Sequence, residues 1–204
     1  MKEVLQVNTH TAFNRYKEIF KFVASVLPGS NKLLSFGCSS GDEVFTLSEI
    51  YYDNSRILGV DINPDMLVDA RNKLKSADVR SNSVEFIDSD SFLQSQEDEF
   101  DCIFCMSVFC LWPDTREMSD ISQVFPFQKF VDALETVDKV LKTGGFLVLV
   151  NTSYSFEDTI LCKEKYEIFE GAEGLYSGFV KRFDPNGLES QRQSGGVVFK
   201  KNRS

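Results

Sequence analysis

The sequence predicts an α/β fold, a largely parallel sheet with helices on both faces, and three observations carry that reading. Apolar runs alternate with helical patterns along most of the chain, which is the order that strand–helix–strand units produce. The runs are continuous instead of alternating apolar with polar, as strands covered on both faces require. The first run also ends in a turn of small residues, Gly37-Cys38-Ser39-Ser40-Gly41, and the second ends in an acid, Asp61, twenty residues after Gly41.

Taken in order, Phe13, Tyr16, Ile19, Phe20, Val23 and Leu27 recur at three- and four-residue intervals before Pro28-Gly29, so residues 11–27 predict an amphipathic helix. Strands are expected at Leu33–Phe36, Ile57–Val60, Val84–Ile87, Cys102–Met106 and Phe146–Val150. Helices are expected at Glu43–Tyr52, Pro64–Leu74 and Lys129–Leu141, the last stopped by Gly144-Gly145, while a short polar piece follows Val84–Ile87. The stretch from Trp112 to Phe127, with Pro113 and Pro126, is long for a connection. It reads either as a lid or substrate loop or as a plain surface excursion. Near the end, Gly178–Phe183 and Gly196–Lys200, around the turn Asp184-Pro185-Asn186-Gly187, read as antiparallel strands.

Composition narrows the function. With 42% apolar and 26% charged residues in 204, the chain reads as one globular domain with no run long enough to cross a bilayer. Residues about 32–110 form a nucleotide-binding half and about 111–204 a substrate-side half. The start, Met1-Lys2-Glu3-Val4-Leu5-Gln6, has no apolar signal core, and five cysteines are an odd number, so a cytoplasmic location is expected. A net charge of −9 repels a phosphate backbone, which makes nucleic acid an unfavoured partner. The basic end Lys200-Lys201-Asn202-Arg203 reads as a solvated tail. Cys102 and Cys105, three apart on a strand, point to opposite faces, and His10 is the only histidine, so no metal site is expected.

The turn and the acid together point to a nucleotide. A side-chain-poor turn lets a ligand approach backbone amides at a helix start, and a carboxylate on the next strand can accept both ribose hydroxyl hydrogens. The dinucleotide fingerprint fails, because Ser39 and Asp42 stand where its second and third glycines belong. Ser40 and Glu43 fit a capping box at the following helix, and Glu43 is equally placed to contact the ligand.

From these residues the chain resembles the class I S-adenosylmethionine-dependent methyltransferases over nearly all its length. Phe36–Gly41 resembles their glycine-rich motif, Gly59–Pro64 the ribose motif and Val84–Phe92 the adenine motif. Phe100–Ser107 resembles the fourth-strand motif, and Leu141–Val148 the turn into the fifth strand. The resemblance implies a three-layer Rossmann-like methyltransferase fold with seven strands, the C-terminal pair antiparallel. It implies S-adenosyl-L-methionine as cofactor and S-adenosyl-L-homocysteine as product. It places the backbone of Phe36, Gly37 and Cys38 near the methionine part, Asp61 on the ribose and Asp90 and Ser91 at the adenine, and it counts Ser39, Gly41, Ile62, Met66, Phe92, Met106 and Ser107 among the cofactor-binding residues. Many members carry an acid two residues before the first glycine, near the cofactor's amino group; here that residue is Ser35.

Three pieces are similar to the chemotaxis-receptor glutamate methyltransferases: Thr11-Ala12-Phe13-Asn14-Arg15, Cys38–Glu43 and Asp61–Pro64. That similarity puts Thr11 and Arg15 beside the cofactor, whereas on their own residues they read as a helix cap and a solvated charge. The chain has Met106-Ser107 where those enzymes have arginine-asparagine, and it lacks the asparagine-proline-proline-tyrosine of nucleic-acid amino methyltransferases at Met106–Phe109. Phe109, Trp112 and Tyr154 are substrate-side candidates, with core packing the alternative for Phe109. Asp114, Tyr154 and His10 could act as bases, but none has a distinctive spacing, and no catalytic residue is assigned. The expected activity is methyl transfer to a small-molecule or protein side-chain acceptor. The alternatives are a non-catalytic domain that binds the cofactor or its product, and, further off, a nicotinamide (NAD)-dependent enzyme.

Overall fold

The computed structural model describes residues 5–76, 83–92, 99–172, 174–176, 178–192 and 195–202. In chain order the elements are α1 (Lys17–Val26), β1 (Lys32–Phe36), α2 (Asp42–Thr46, continued by a π-helical turn Leu47–Tyr51) and β2 (Arg56–Asp61). Then come α3 (Pro64–Ser76), β3 (Val84–Asp88), α4 (Ser89–Phe92), β4 (Phe100–Met106) and α5 (Phe127–Val140). They are followed by β5 (Leu141–Val150), a 3-10 turn Phe156–Asp158, α6 (Ile160–Lys165), β6 (Tyr166–Ile168) and β7 (Val198–Lys201).

The strands form one sheet in the order β3-β2-β1-β4-β5-β7-β6. β1 pairs parallel with β2 and β4, β2 with β3, and β4 with β5, whereas β7 runs antiparallel to both β5 and β6. This is the seven-stranded α/β sheet the sequence implies. The chain runs outward from β1 to β3 and returns at β4, so the order reverses between β1 and β4. Ligand crevices of such sheets open at that point, beyond the carboxyl ends of the strands.

The continuous apolar runs have a direct physical reading. Along β4, Cys102, Phe104 and Met106 join a core with Ile19, Phe20 and Val23 of α1, while Ile103 and Cys105 join a second core with Phe130, Leu134 and Val137 of α5. β5 divides the same way, Phe146, Val148 and Val150 on one face and Leu147 and Leu149 on the other. Alternate residues serve alternate cores, so every position is apolar. Cys102 and Cys105 accordingly lie on opposite faces, and all five cysteines are buried free thiols.

Several boundaries differ from expectation. The first helix begins at Lys17, not near residue 11, because Asn14 takes a left-handed conformation, φ 54°. Its amide donates to Thr46 Oγ1 (2.7 Å) and its Oδ1 accepts from Tyr51 (3.0 Å), and Phe13 is left exposed. The fifth strand starts at Leu141, paired with Phe100, and a register shift between Phe100 and Cys102 absorbs Gly144-Gly145. The sixth strand is Tyr166–Ile168, not Gly178–Phe183; of the latter only Phe183 forms bridges, with Tyr154 and Glu189. The basic tail is not solvated at Lys201, whose Nζ donates to the carbonyls of Asp138 (2.7 Å) and Leu141 (2.8 Å). Met1–Val4 and Arg203 lie outside the described residues. The connection after β4 is anchored by buried Ile121 and Phe125. Among the described residues no helix is long and apolar enough to cross a membrane.

Candidate functional site

A large cavity, about 1290 Å³, opens at the carboxyl ends of β1, β2 and β4, where the reversal of strand order places it. All but three of the expected cofactor residues line it: Thr11, Arg15, Phe36, Gly37, Cys38, Ser39, Asp61, Ile62, Asp90, Phe92, Met106 and Ser107. Gly41 instead starts α2 in a left-handed conformation, φ 85°. Met66 sits on α3 with its amide toward Asn63 Oδ1 (3.4 Å), and the Ser91 hydroxyl donates to Asp88 Oδ2 (2.9 Å).

The glycine turn is built differently from the open row of amides its composition suggests. The amides of Gly37 and Cys38 donate to the Val60 carbonyl, at 2.8 and 2.9 Å. Ser39 N–H donates to Asp61 Oδ2 at 2.7 Å, and Asp61 Oδ1 accepts from Asn63 N–H at 2.8 Å. The turn is thereby clasped to the tip of β2, and Asp61, half-buried, presents its remaining lone pairs to the cavity. What the turn offers a ligand is space. Gly37 has φ 76°, and a Cβ there would stand 2.5 Å from Val108 Cγ2, so any side chain would strain the backbone and displace Val108.

The capping box does not form: no side chain caps α2, and Ser40 Oγ accepts from Lys73 instead. Glu43 turns toward β1, where its Oε1 accepts from the buried Ser35 hydroxyl at 2.7 Å, and it lines the cavity. A carboxylate thus stands beside the strand position that holds serine in this chain. Burial pushes the Glu43 carboxyl up to about 8, against the opposing pull of the Ser35 hydrogen bond and the Arg15 charge. A carboxyl held in that state keeps its proton at neutral pH, and a cationic ligand group beside it would draw the proton off. Arg15 is exposed and lies over the Tyr16 ring, 5.0 Å from its centroid.

The chain before α1 crosses the cavity as a strap. Ser39 Oγ donates to the Thr9 carbonyl (2.6 Å), Gln6 Nε2 to the Ser107 carbonyl (3.2 Å) and Arg15 Nη1 to the His10 carbonyl (3.2 Å). Gln6 to Thr9 have no motif by which sequence reasoning could have found them. Asn151, also missed, stands directly after β5 with φ 54°, and Ser107 directly after β4 with φ 63°. Left-handed backbone at non-glycine residues costs free energy that the surroundings must hold, and here it gathers at the strand ends facing the site.

On the substrate side, Trp112 lines the cavity and packs edge-to-face on Phe179, with centroids 5.2 Å apart. Phe109 and Tyr154 do not reach it. Both are fully buried in the α5 core, the Tyr154 hydroxyl bonded to the Phe125 carbonyl; their apolar neighbours Phe130 and Phe127 claim them. Of the base candidates, His10 lines the cavity, whereas Asp114 and Tyr154 do not. Among the described residues no cluster of three or more His, Cys, Asp or Glu could hold a metal.

None of the curated proteins matches. Solved structures with similarity include the YcgJ protein of Bacillus subtilis, 21% identical over 67% of this chain and 50% of that one, TM-score 0.47. The [4+2]-cyclase SpnF is 19% identical over 71% and 48%, TM-score 0.48, and PKMT2 of Rickettsia typhi is 23% identical over 69% and 26%, TM-score 0.49. The chain spans about half the length, or less, of these structures. The family model described as a methyltransferase domain matches residues 34–147, the stretch from β1 into β5 that builds the cavity floor, and the chain belongs to that methyltransferase family.

Proposed function

We propose that the protein transfers the sulfonium-bound methyl group of S-adenosyl-L-methionine, by in-line displacement, to a small-molecule acceptor held in the same cavity. The observation that carries this reading is the clasp of Ser39 and Asp61 at the wall of the cavity. The carboxylate is held by two backbone amides with lone pairs left for ribose hydroxyls. Glu43 supplies a carboxyl for the cofactor's amino group, Arg15 a cation for its carboxylate, and Asp90 and Phe92 flank the adenine. Bound there, the cofactor supplies an electrophilic methyl group.

Residue chemistry supports a transfer that depends on alignment. Orienting two reactants is worth roughly 7–11 kcal/mol, so no dedicated acid–base pair is needed. The strap, Val108 and the Gly37 turn hold the reactants and limit water. A volume of about 1290 Å³ exceeds the ~300–1,000 Å³ usual for the pocket of one small ligand, which leaves room for an acceptor beside the cofactor. The test is transfer of tritiated methyl from S-adenosyl-L-methionine into a cell extract, resolved by size and by alkali lability. Label in the small-molecule fraction is the expected result. Label confined to protein would overturn the small-molecule acceptor, and cofactor binding with no transfer anywhere would establish a non-catalytic binding domain.

A further inference from the structure

Resting on that reading, we infer that the acceptor is a flat, uncharged aromatic molecule bearing a hydrogen-bond-accepting oxygen or nitrogen, and that Tyr16 and Ser107 position it. The floor of the cavity at the end of β4 is a cluster of neutral polar groups. Tyr16 OH and Ser107 Oγ lie 2.8 Å apart, and both line the cavity. Beneath them the two hydrogens of Asn151 Nδ2 are shared among Ser107 Oγ at 2.8 Å, Tyr176 OH at 3.1 Å and Tyr16 OH at 3.3 Å. An amide nitrogen that donates to hydroxyl oxygens turns their hydrogens away from itself. One hydrogen of the Tyr16–Ser107 pair closes the bond between them, and the other is left for the cavity.

That remaining hydrogen belongs to a neutral group. Burial pushes the Tyr16 hydroxyl up to about 12, despite the Ser107 hydrogen bond, so at neutral pH it donates and carries no charge. Ser107 is held against reorientation by its own backbone: its N–H donates to the Val150 carbonyl (2.8 Å) and its carbonyl accepts from Gln6 (3.2 Å). The Asn151 Oδ1 is buried without a partner, against the position a Cβ on Gly178 would take, 3.0 Å away.

The wall beside this floor is aromatic. Trp112 and Phe179 meet edge-to-face, both line the cavity, and Phe179 is 51% exposed, so part of an aromatic pair is presented to the cavity. Flat rings bind such walls through area and quadrupole fit. Tyr16, Ser107, Asn151 and Tyr176 are all neutral, and the one cation against them, Arg15 over the Tyr16 ring, is taken by the cofactor's carboxylate in the reading above, which leaves an anionic acceptor no cation of its own there. Methylation of the molecule described here forms a carbon–oxygen or carbon–nitrogen bond as the carbon–sulfur bond breaks with its electron pair on sulfur. A proton on the attacking atom leaves to water.

The test is calorimetric titration of the protein saturated with S-adenosyl-L-homocysteine, using coumarin, naphthalene and 2-naphthoate as probes. Coumarin, flat and uncharged with a carbonyl, is expected to bind roughly tenfold tighter than naphthalene, the usual scale of one net hydrogen bond, and tighter than 2-naphthoate. It should also quench emission from Trp112, the only tryptophan. Tyr16→Phe should weaken coumarin by about five- to tenfold while leaving naphthalene and S-adenosyl-L-homocysteine within about twofold. Trp112→Ala should weaken coumarin and naphthalene together. Equal affinity for the three probes, preference for 2-naphthoate, no binding of coumarin, or a Tyr16→Phe protein with unchanged selectivity would each overturn the proposal. Failure of S-adenosyl-L-homocysteine itself to bind would remove the cofactor reading first and this one with it.

Discussion

At the scale of single residues, the site is a set of short polar ties between strand tips. Asp61 both clasps the turn through Ser39 N–H and faces the cavity. Asp61→Ala is expected to weaken S-adenosyl-L-homocysteine binding by about 1–3 kcal/mol, the cost of losing hydrogen bonds to a charged acceptor, in a titration at fixed pH. Gly37→Ala should abolish measurable binding, because φ 76° and a 2.5 Å approach to Val108 leave no room for a methyl group; circular dichroism would show the fold retained. Glu43 sets a pH dependence. Its carboxyl carries a proton below about 8, and pairing with an ammonium group requires that proton to leave. Affinity should therefore climb with pH from about 6 to 8, by at most tenfold per unit, and Glu43→Gln should flatten the climb. In the unliganded protein the same raised value has the opposite sign, stability being given up as pH rises through about 8. Asp61 was legible because a carboxylate at a strand tip has a specific spacing. The Glu43–Ser35 bond was not, because an eight-residue separation across a turn leaves no periodicity to read.

Elements explain how those residues are held. The antiparallel edge is tied to α5 by Asp138, 5% exposed, which accepts from Lys165 Nζ (2.8 Å) and Tyr166 OH (2.7 Å) and pairs with Lys201 (3.1 Å). Burial alone would raise its pKa, but the hydrogen bonds from Lys165, Tyr166 and Lys201 outweigh burial and hold the carboxyl below the usual range. The stability it provides is present above the ordinary aspartate pKa and is lost as pH falls below it. Asp138→Asn should cost about 2–4 kcal/mol in urea unfolding, since it strands a buried lysine. The central strands were legible because continuous apolar runs have few other meanings in a chain of alternating elements. β6 was not: Tyr166-Glu167-Ile168 is three residues long, too short for a pattern, and it follows α6 without a break. Gly178–Phe183 has better strand composition, yet its Phe179 lines the cavity instead, where it meets Trp112. The late start of α1 likewise came from tertiary bonds to Asn14, which no local propensity encodes.

For the whole molecule, a reversal of strand order between β1 and β4 opens the large cavity, and residues from the strap, the glycine turn and four strand ends converge on it. The parallel strands and the position of the cavity beside the glycine turn followed from the chain's alternation and motifs, and the count of seven strands from the resemblance. The far side of the cavity did not, because Tyr16, Ser107, Asn151 and Tyr176 are far apart in sequence and meet only when β4 and β5 pair. The central claim, that Asp61 and the Gly37 turn grip an adenosyl group, is tested most directly by titrating the wild-type protein with S-adenosyl-L-homocysteine in a calorimeter. One molecule should bind per chain with a dissociation constant well below about 1 mM, equivalent to more than ~4 kcal/mol. No heat of binding up to that concentration, with the protein folded, would contradict it.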